Sequence, residues 1–256
     1  MRIEARDLCV RRGGRLVLRD VSLRIEGGQS VAVVGPNGAG KTTLLLALLG
    51  LLPAESGRIE IDGEPIERLS RRRIARQIAY VPQIYEGFLG FRVRDIIETG
   101  RYAHRDPLEA MQAADRSAIE TAIDRCDIRD LLDRTADTLS GGERQKVWVA
   151  AALAQESPAL LLDEPANSLD PRHQAELIRL LRDLVRAGKT LVVVCHDVNL
   201  PVMLDARVVA MNQGRVAFDG PAEEFLAAEK LREVFETEFI RLRDARTGRA
   251  VVQIQV

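Results

Sequence analysis

A chain of 256 residues is long enough to bury a substantial core, as one large domain or one domain with an insertion. Its 37 Lys+Arg against 38 Asp+Glu leave a formal net charge of -1, which excludes bulk attraction to nucleic acid or anionic lipid. The charged residues, 29% of the chain, are interspersed, which excludes a disordered polyelectrolyte. In chain order, Met1 to Asp7 has no apolar run, so no secretory signal is expected. Val17 to Ile25 reads as a strand and Gly27-Gly28 as a turn. Ser30 to Val34 is a continuous β-rich run, as in a strand buried on both faces. Thr42 to Leu49 has helical apolar density, and Arg58 to Ile61 with Asp62-Gly63 reads as a strand entering a tight turn. Val93 to Leu132 is patterned as helix throughout, an insertion in an otherwise α/β chain. Short apolar strands return at Leu160 to Leu162, Leu191 to Cys195 and Val208 to Met211. Helices at Pro171 to Ala187 and Leu200 to Leu204 separate them. That alternation predicts a mostly parallel sheet covered on both sides. From about Pro221 a short helical piece precedes two strands, Phe239 to Arg243 and Ala250 to Val256.

The longest apolar stretch, Leu44 to Leu52, is about half of the roughly 20 residues a membrane span needs, so no crossing is expected. Any membrane role would pass through a docked partner. Cys9, Cys126 and Cys195 lie far apart, without CxxC or metal-ligand spacing, and are expected to be reduced thiols.

Three strings carry chemistry. Gly35-Pro36-Asn37-Gly38-Ala39-Gly40-Lys41-Thr42 matches G-x-x-x-x-G-K-[ST] between a buried strand and a helix. Its glycines let backbone N–H groups turn inward around a phosphate, and the helix adds its positive end. Lys41 is expected on the β- and γ-phosphates, Thr42 on Mg²⁺, and Thr43 on the α-phosphate. Second, Leu160-Leu161-Leu162-Asp163-Glu164-Pro165 is an apolar strand ending in two carboxylates. Asp163 suits the Mg²⁺ shell and Glu164 the general base for an attacking water. Third, Leu139-Ser140-Gly141-Gly142-Glu143-Arg144-Gln145 sets a hydroxyl and two glycine N–H groups at the start of a helix from about Glu143 to Gln155, a second anion-seeking end. A plain N-cap explains Ser140 but not the whole string.

With these strings the chain resembles the nucleotide-binding subunit of an ABC transporter, over essentially its whole length. The resemblance implies an α/β P-loop NTPase core with a mostly parallel sheet, an N-terminal antiparallel β subdomain, an inserted helical subdomain at about 84–150, and a C-terminal extension at about 221–256. It implies a homodimer in which Ser140, Gly141 and Gly142 reach the γ-phosphate of ATP held by the other copy. Val81-Pro82-Gln83 matches the Q-loop, assigning Gln83 to Mg²⁺ or the attacking water. Cys195-His196-Asp197 matches the switch, making His196 a γ-phosphate ligand. Ser168-Leu169-Asp170 matches the loop that crosses between subunits, with Asp170 its acidic end. His104 and His173 have no such support and are read as surface or partner-facing. The family usually places an aromatic residue upstream, where adenine stacks; here Arg12 stands at that position and no aromatic precedes Tyr80. Base discrimination is therefore expected to be loose, with affinity carried by triphosphate and Mg²⁺.

Phe91 to His104 is similar to the V-x-x-[VI]-[VI]-x-x-G-R-x-P-H stretch of ATPases driving uptake of iron-siderophores, haem or cobalamin, with Ala103 where proline is usual. That implies transmembrane permease partners, a substrate-binding protein acting indirectly, and a peripheral place on the cytoplasmic face of the inner membrane. No nucleic-acid partner is expected. An ABC ATPase of another transporter class remains open, as does a soluble one of translation or DNA repair. Against the latter stand the single cassette, the lack of sustained heptads and the near-zero charge. A kinase or GTPase sharing the phosphate loop does not explain the Ser140 string or His196.

Overall fold

Alternation builds the first two strands. Ile3, Ala5, Leu8 and Val10 are buried along Ile3–Arg12 (β1), and Leu18, Val21, Leu23 and Ile25 along Arg15–Ile25 (β2), with exposed charges between them. The period slips at Asp7 and Asp20, whose left-handed backbones coincide with irregularities in the pairing. The computed structural model describes residues 1–83, 90–106, 109–167 and 169–255. Ser168, Val256 and position 84, the expected start of the helical subdomain, lie outside the described residues.

Ser30–Val34 (β3) is buried at all five positions and leads to Lys41–Leu48 (α1), Ser56–Ile61 (β4) and Glu64–Pro65 (β5). There follow Arg71–Gln77 (α2), Ile78–Val81 (β6), Val93–Thr99 (α3), a 3₁₀ turn at Gly100–Ala103, Ala113–Cys126 (α4), Gly141–Ala154 (α5), Ala159–Asp163 (β7) and Pro171–Arg186 (α6). The chain ends in Thr190–Val194 (β8), Leu200–Met203 (α7), Arg207–Asn212 (β9), Arg215–Pro221 (β10), Ala222–Phe225 (α8), Ala228–Phe235 (α9) and the hairpin Phe239–Arg243 (β11) with Ala250–Ile254 (β12).

The chain divides into two units, Met1–Leu69 with Thr190–Val256, and Ser70–Lys189. In the first, an antiparallel sheet runs β2-β1-β4-β5; β3 lies parallel to both β8 and β9, and β10 is antiparallel to β9. A run of aromatic contacts, Phe218–Phe225–Phe235–Phe239, with ring centroids 5.4, 6.4 and 6.1 Å apart, joins β10, α8, α9 and β11. In the second unit β6 and β7 pair in parallel, and α3 and α4 pack on α5 through Val93, Ile96, Ile97, Ile119 and Ile123. The α/β class, the antiparallel N-terminal sheet and the mainly parallel pairing agree with the sequence reading.

The sequence reading omitted β1, β6 and β10. Half of each is interrupted by charge, or the run is too short for periodicity to register. Helix α5 begins at Gly141, two residues ahead of expectation, because Ser140 caps it. Among the described residues no helix is long and apolar enough to cross a membrane. The three cysteines form no disulfide, and burial pushes the Cys126 thiol up to about 12, so it stays protonated.

Candidate functional site

The phosphate loop leaves β3 at Gly35, whose backbone sits at φ 144°; a Cβ there would lie 2.1 Å from the Met211 carbonyl oxygen. Only glycine fits between the loop and β9. Ala39 N–H donates to the Pro36 carbonyl at 3.2 Å, and Gly214 N–H to that of Ala39 at 3.1 Å, closing the turn. Gly40, left-handed at φ 101°, starts α1 with no side-chain cap and no acidic residue in the first turn. The positive end of this helix is therefore offered through backbone N–H groups alone. Asn37 and Gly38 are exposed at the crest, Pro36 and Thr42 half-buried, Thr43 buried. Lys41, 6% exposed, turns its ammonium onto the Gly35 and Pro36 carbonyls at 2.8 and 3.0 Å. In the same unit His196 is exposed two residues past β8, after a buried Cys195, and Asp197 accepts from Asn199 N–H at 2.8 Å. Arg12 is exposed at the last position of β1, opposite Arg15.

The acid pair belongs to the second unit. All five residues of β7 are buried, and Asp163, its last, is 2% exposed. Burial, and secondarily the negative charge of Asp163, push the Tyr80 phenol up to about 12. The chain then turns left-handed at Glu164, φ 50°, an uncommon conformation for a side chain of that size. The turn leaves the Glu164 carboxylate half-buried, with Oε2 accepting from Gln83 Nε2 at 2.5 Å and from Asn167 Nδ2 at 2.6 Å. The structure thus brings Gln83 and Glu164 together. Asn167 was missed by the sequence reading, although its place three residues past the acid is the signal that would have found it.

At the signature, Ser140 Oγ accepts from Glu143 N–H at 3.2 Å and Glu143 Oε2 accepts from Ser140 N–H at 2.7 Å, a complete capping box. The Ser140 backbone N–H, then its hydroxyl, hold the Glu143 carboxyl below its usual range, with Arg134 adding charge. Ser140 and Gly141 are exposed, while Gly142 is buried. Asp170 caps α6, its Oδ1 accepting from His173 N–H at 2.9 Å and its Oδ2 lying 2.7 Å from His173 Nδ1. Those two contacts, backbone first, hold the Asp170 carboxyl below its usual range.

The two histidines read as surface or partner-facing each make a contact within the chain. His173 is half-buried, paired with Asp170 and against Gly142; His104 is half-buried with Nε2 2.8 Å from the Gln155 carbonyl. The Gly100 to His104 string has a structural logic of its own. A Cβ on Gly100 would lie 2.2 Å from the Ala151 carbonyl, so glycine lets this turn sit on α5. Arg101, 4% exposed, bonds Asp115 at 2.9 Å, the Ala154 carbonyl at 2.7 Å and Glu156 at 2.8 Å.

Among the described residues no cluster of His, Cys, Asp and Glu is able by itself to hold a metal ion. Asp163 and Gln83, both of the second unit, offer oxygen donors, the chemistry that a hard cation such as Mg²⁺ takes.

Comparison with known proteins bears on this geometry. Residues 18–167 match the sequence model of the family described as ABC transporter. A hemin import ATP-binding protein of Nocardia farcinica (strain IFM 10152) is 40% identical over 241 residues, covering 91% of this chain and 82% of that protein. A solved chain described as of the metal-chelate type of ABC transporter, in an inward-facing conformation, superposes with a TM-score of 0.85 at 25% identity, covering 99% of this chain and 96% of that one. A dimeric ATP-binding cassette solved in a post-hydrolysis state with ADP and Pi gives a TM-score of 0.77 at 25% identity, over 86% of this chain and 98% of that one.

Proposed function

The chain belongs to the ABC transporter family, and from that premise we propose that it is the ATP-hydrolysing motor of an importer for a metal chelate. The cargo class covers iron-siderophore, haem and cobalamin. The hemin-import relative and the metal-chelate transporter support that class, as does the resemblance carried by the Phe91 to His104 string.

The observation that carries the enzymatic reading is the Glu164 carboxylate, held by the Gln83 and Asn167 amides one residue past a buried Asp163. In this reading the Lys41 ammonium exchanges the Gly35 and Pro36 carbonyls for β- and γ-phosphate oxygens. The loop from Gly35 to Thr42 lines the triphosphate, with backbone N–H groups at every position except Pro36, and Thr43 bonds the α-phosphate. Asp163, Thr42 and Gln83, all hard oxygen donors, are the residues that would hold Mg²⁺, and the ion would supply positive charge to offset that of the phosphates. Glu164 takes the proton of the attacking water, whose oxygen bonds the γ-phosphorus as the bridging oxygen leaves with ADP. His196 bonds the γ-phosphate. Ser140, Gly141, Gly142 and Asp170 act on the nucleotide of a second copy, so the working unit is a homodimer under two permease subunits at the cytoplasmic face of the membrane. A substrate-binding protein delivers cargo to those permeases. Residues 1–256 form one nucleotide-binding domain, with the helical segment at about 84–150 facing the permease and the C-terminal extension at about 221–256.

Glu164→Gln tests this. It should lower kcat by about 10³-fold while ATP binding persists, and collect as a dimer with ATP and Mg²⁺ on a sizing column. A variant that stays monomeric and binds no ATP overturns the assignment. Co-purification with a polytopic membrane protein separates the importer from a soluble ATPase of the same family.

A further inference from the structure

Gly142 is the second residue of α5, with ordinary helical backbone, so no torsional demand calls for glycine there. In a helix alanine is preferred to glycine by about 1 kcal/mol. Space gives the reason instead. A Cβ on Gly142 would stand 2.5 Å from Cγ, 2.7 Å from Cδ2 and 2.9 Å from Nδ1 of His173, and these are its three nearest atoms. The ring is not free to yield, because Asp170 holds His173 through both its backbone N–H and Nδ1. One turn further along, Lys146 of α5 meets Glu176 of α6 at 2.7 Å, and that ammonium, with Arg172 second, holds the Glu176 carboxyl at about 2.

We infer that His173 is a positioning residue of the nucleotide site: its ring, fixed by Asp170 and seated on Gly142, sets the signature helix tip in register with the acidic end of the 169–170 segment. Two nucleotide-facing pieces that are far apart in sequence thus share one wedge. The inference rests on the reading that Ser140 to Gly142 and Asp170 engage the ATP of a second copy. Closing the site then carries both pieces at once, and a loosened wedge lets the helix tip reach the γ-phosphate without Asp170, or the reverse.

The test is a double-mutant cycle in the full chain with ATP and Mg²⁺, reading kcat, KM and Tm. Gly142→Ala should lower kcat about ten-fold or more with KM for ATP within about two-fold, because ATP bound to its own phosphate loop does not sense the wedge. His173→Ala should lower kcat less, and the double variant should match His173→Ala, since the added methyl now has room. His173→Asn, which keeps a donor for Asp170, should retain more kcat than His173→Ala. If Gly142→Ala does not fold, recovery of folding in the double variant supports the wedge equally. Wild-type kcat in Gly142→Ala overturns it, as does the same loss with and without His173. So does equal kcat in His173→Asn and His173→Ala at equal Tm. Wild-type turnover in Lys41→Ala would instead overturn the nucleotide reading and leave the packing result standing.

Discussion

Helix α1 starts on a left-handed Gly40 with no side-chain cap and no acid in its first turn, whereas α5 starts on Ser140 inside a complete capping box with Glu143 in its first turn. Both are helix N-termini, and both follow strings that invite an anion. At the first, no side chain caps the helix start, and a buried lysine ammonium lies on the Gly35 and Pro36 carbonyls. At the second, a carboxylate of the chain itself already takes one N–H and offsets the positive end. Two helix starts that share a glycine-rich lead-in thus differ in what the chain itself supplies to the positive end: nothing from a side chain at Gly40, a full capping box at Ser140.

The comparison breaks most visibly at Lys41. Lys41→Ala should weaken ATP binding by about 3 kcal/mol, a hundred-fold or more in Kd, measured by titration with a fluorescent ATP analogue. Ser140→Ala should leave that Kd unchanged and cost about 1 kcal/mol of stability through the lost cap, a fall in Tm of about 2–4 °C by calorimetry. Equal loss of ATP affinity in the two variants would erase the distinction. A smaller effect is expected at Arg12, exposed at the end of β1. If the triphosphate carries the affinity, Arg12→Tyr should shift the ATP-to-GTP affinity ratio by about three-fold towards ATP, and an unchanged ratio removes adenine stacking from the account. The smallest effect is pH-dependent. Bonds from Ser140 hold the Glu143 carboxyl below its usual 4.5, so the box contributes stability that is present above that value and lost as pH falls through the lowered one. Glu143→Gln keeps the cap bond without the titration. Its Tm should therefore fall slightly less steeply than that of the wild type on acidification below about pH 4.5, read by calorimetry.

The phosphate loop was legible to the residue because its parts are contiguous: Gly35 to Thr43 supply turn, N–H groups, ammonium and hydroxyls within one stretch. The acid pair was legible for a related reason, an apolar strand that can only be buried and two carboxylates at its end. What holds Glu164 was half legible. Gln83 was singled out, but its bond to that carboxylate spans 81 positions, and Asn167 was passed over as one polar residue in a loop. Ser140 shows the opposite case. The N-cap read for Ser140 alone extends into a complete capping box with Glu143, and Ser140 and Gly141 remain exposed beside it.

By itself, then, the order of residues determined every feature whose physics is local. It set which runs are buried on both faces, where a helix offers bare N–H groups, and which carboxylates end a strand. Tertiary packing alone decided the reasons for Gly142, Gly100 and Gly35, each set by an atom of a distant segment standing where a Cβ would go. It also decided that His173 pairs with Asp170 and His104 with the Gln155 carbonyl. Steric exclusion acts over a few ångströms of space and is indifferent to separation along the chain, so no window of sequence contains it.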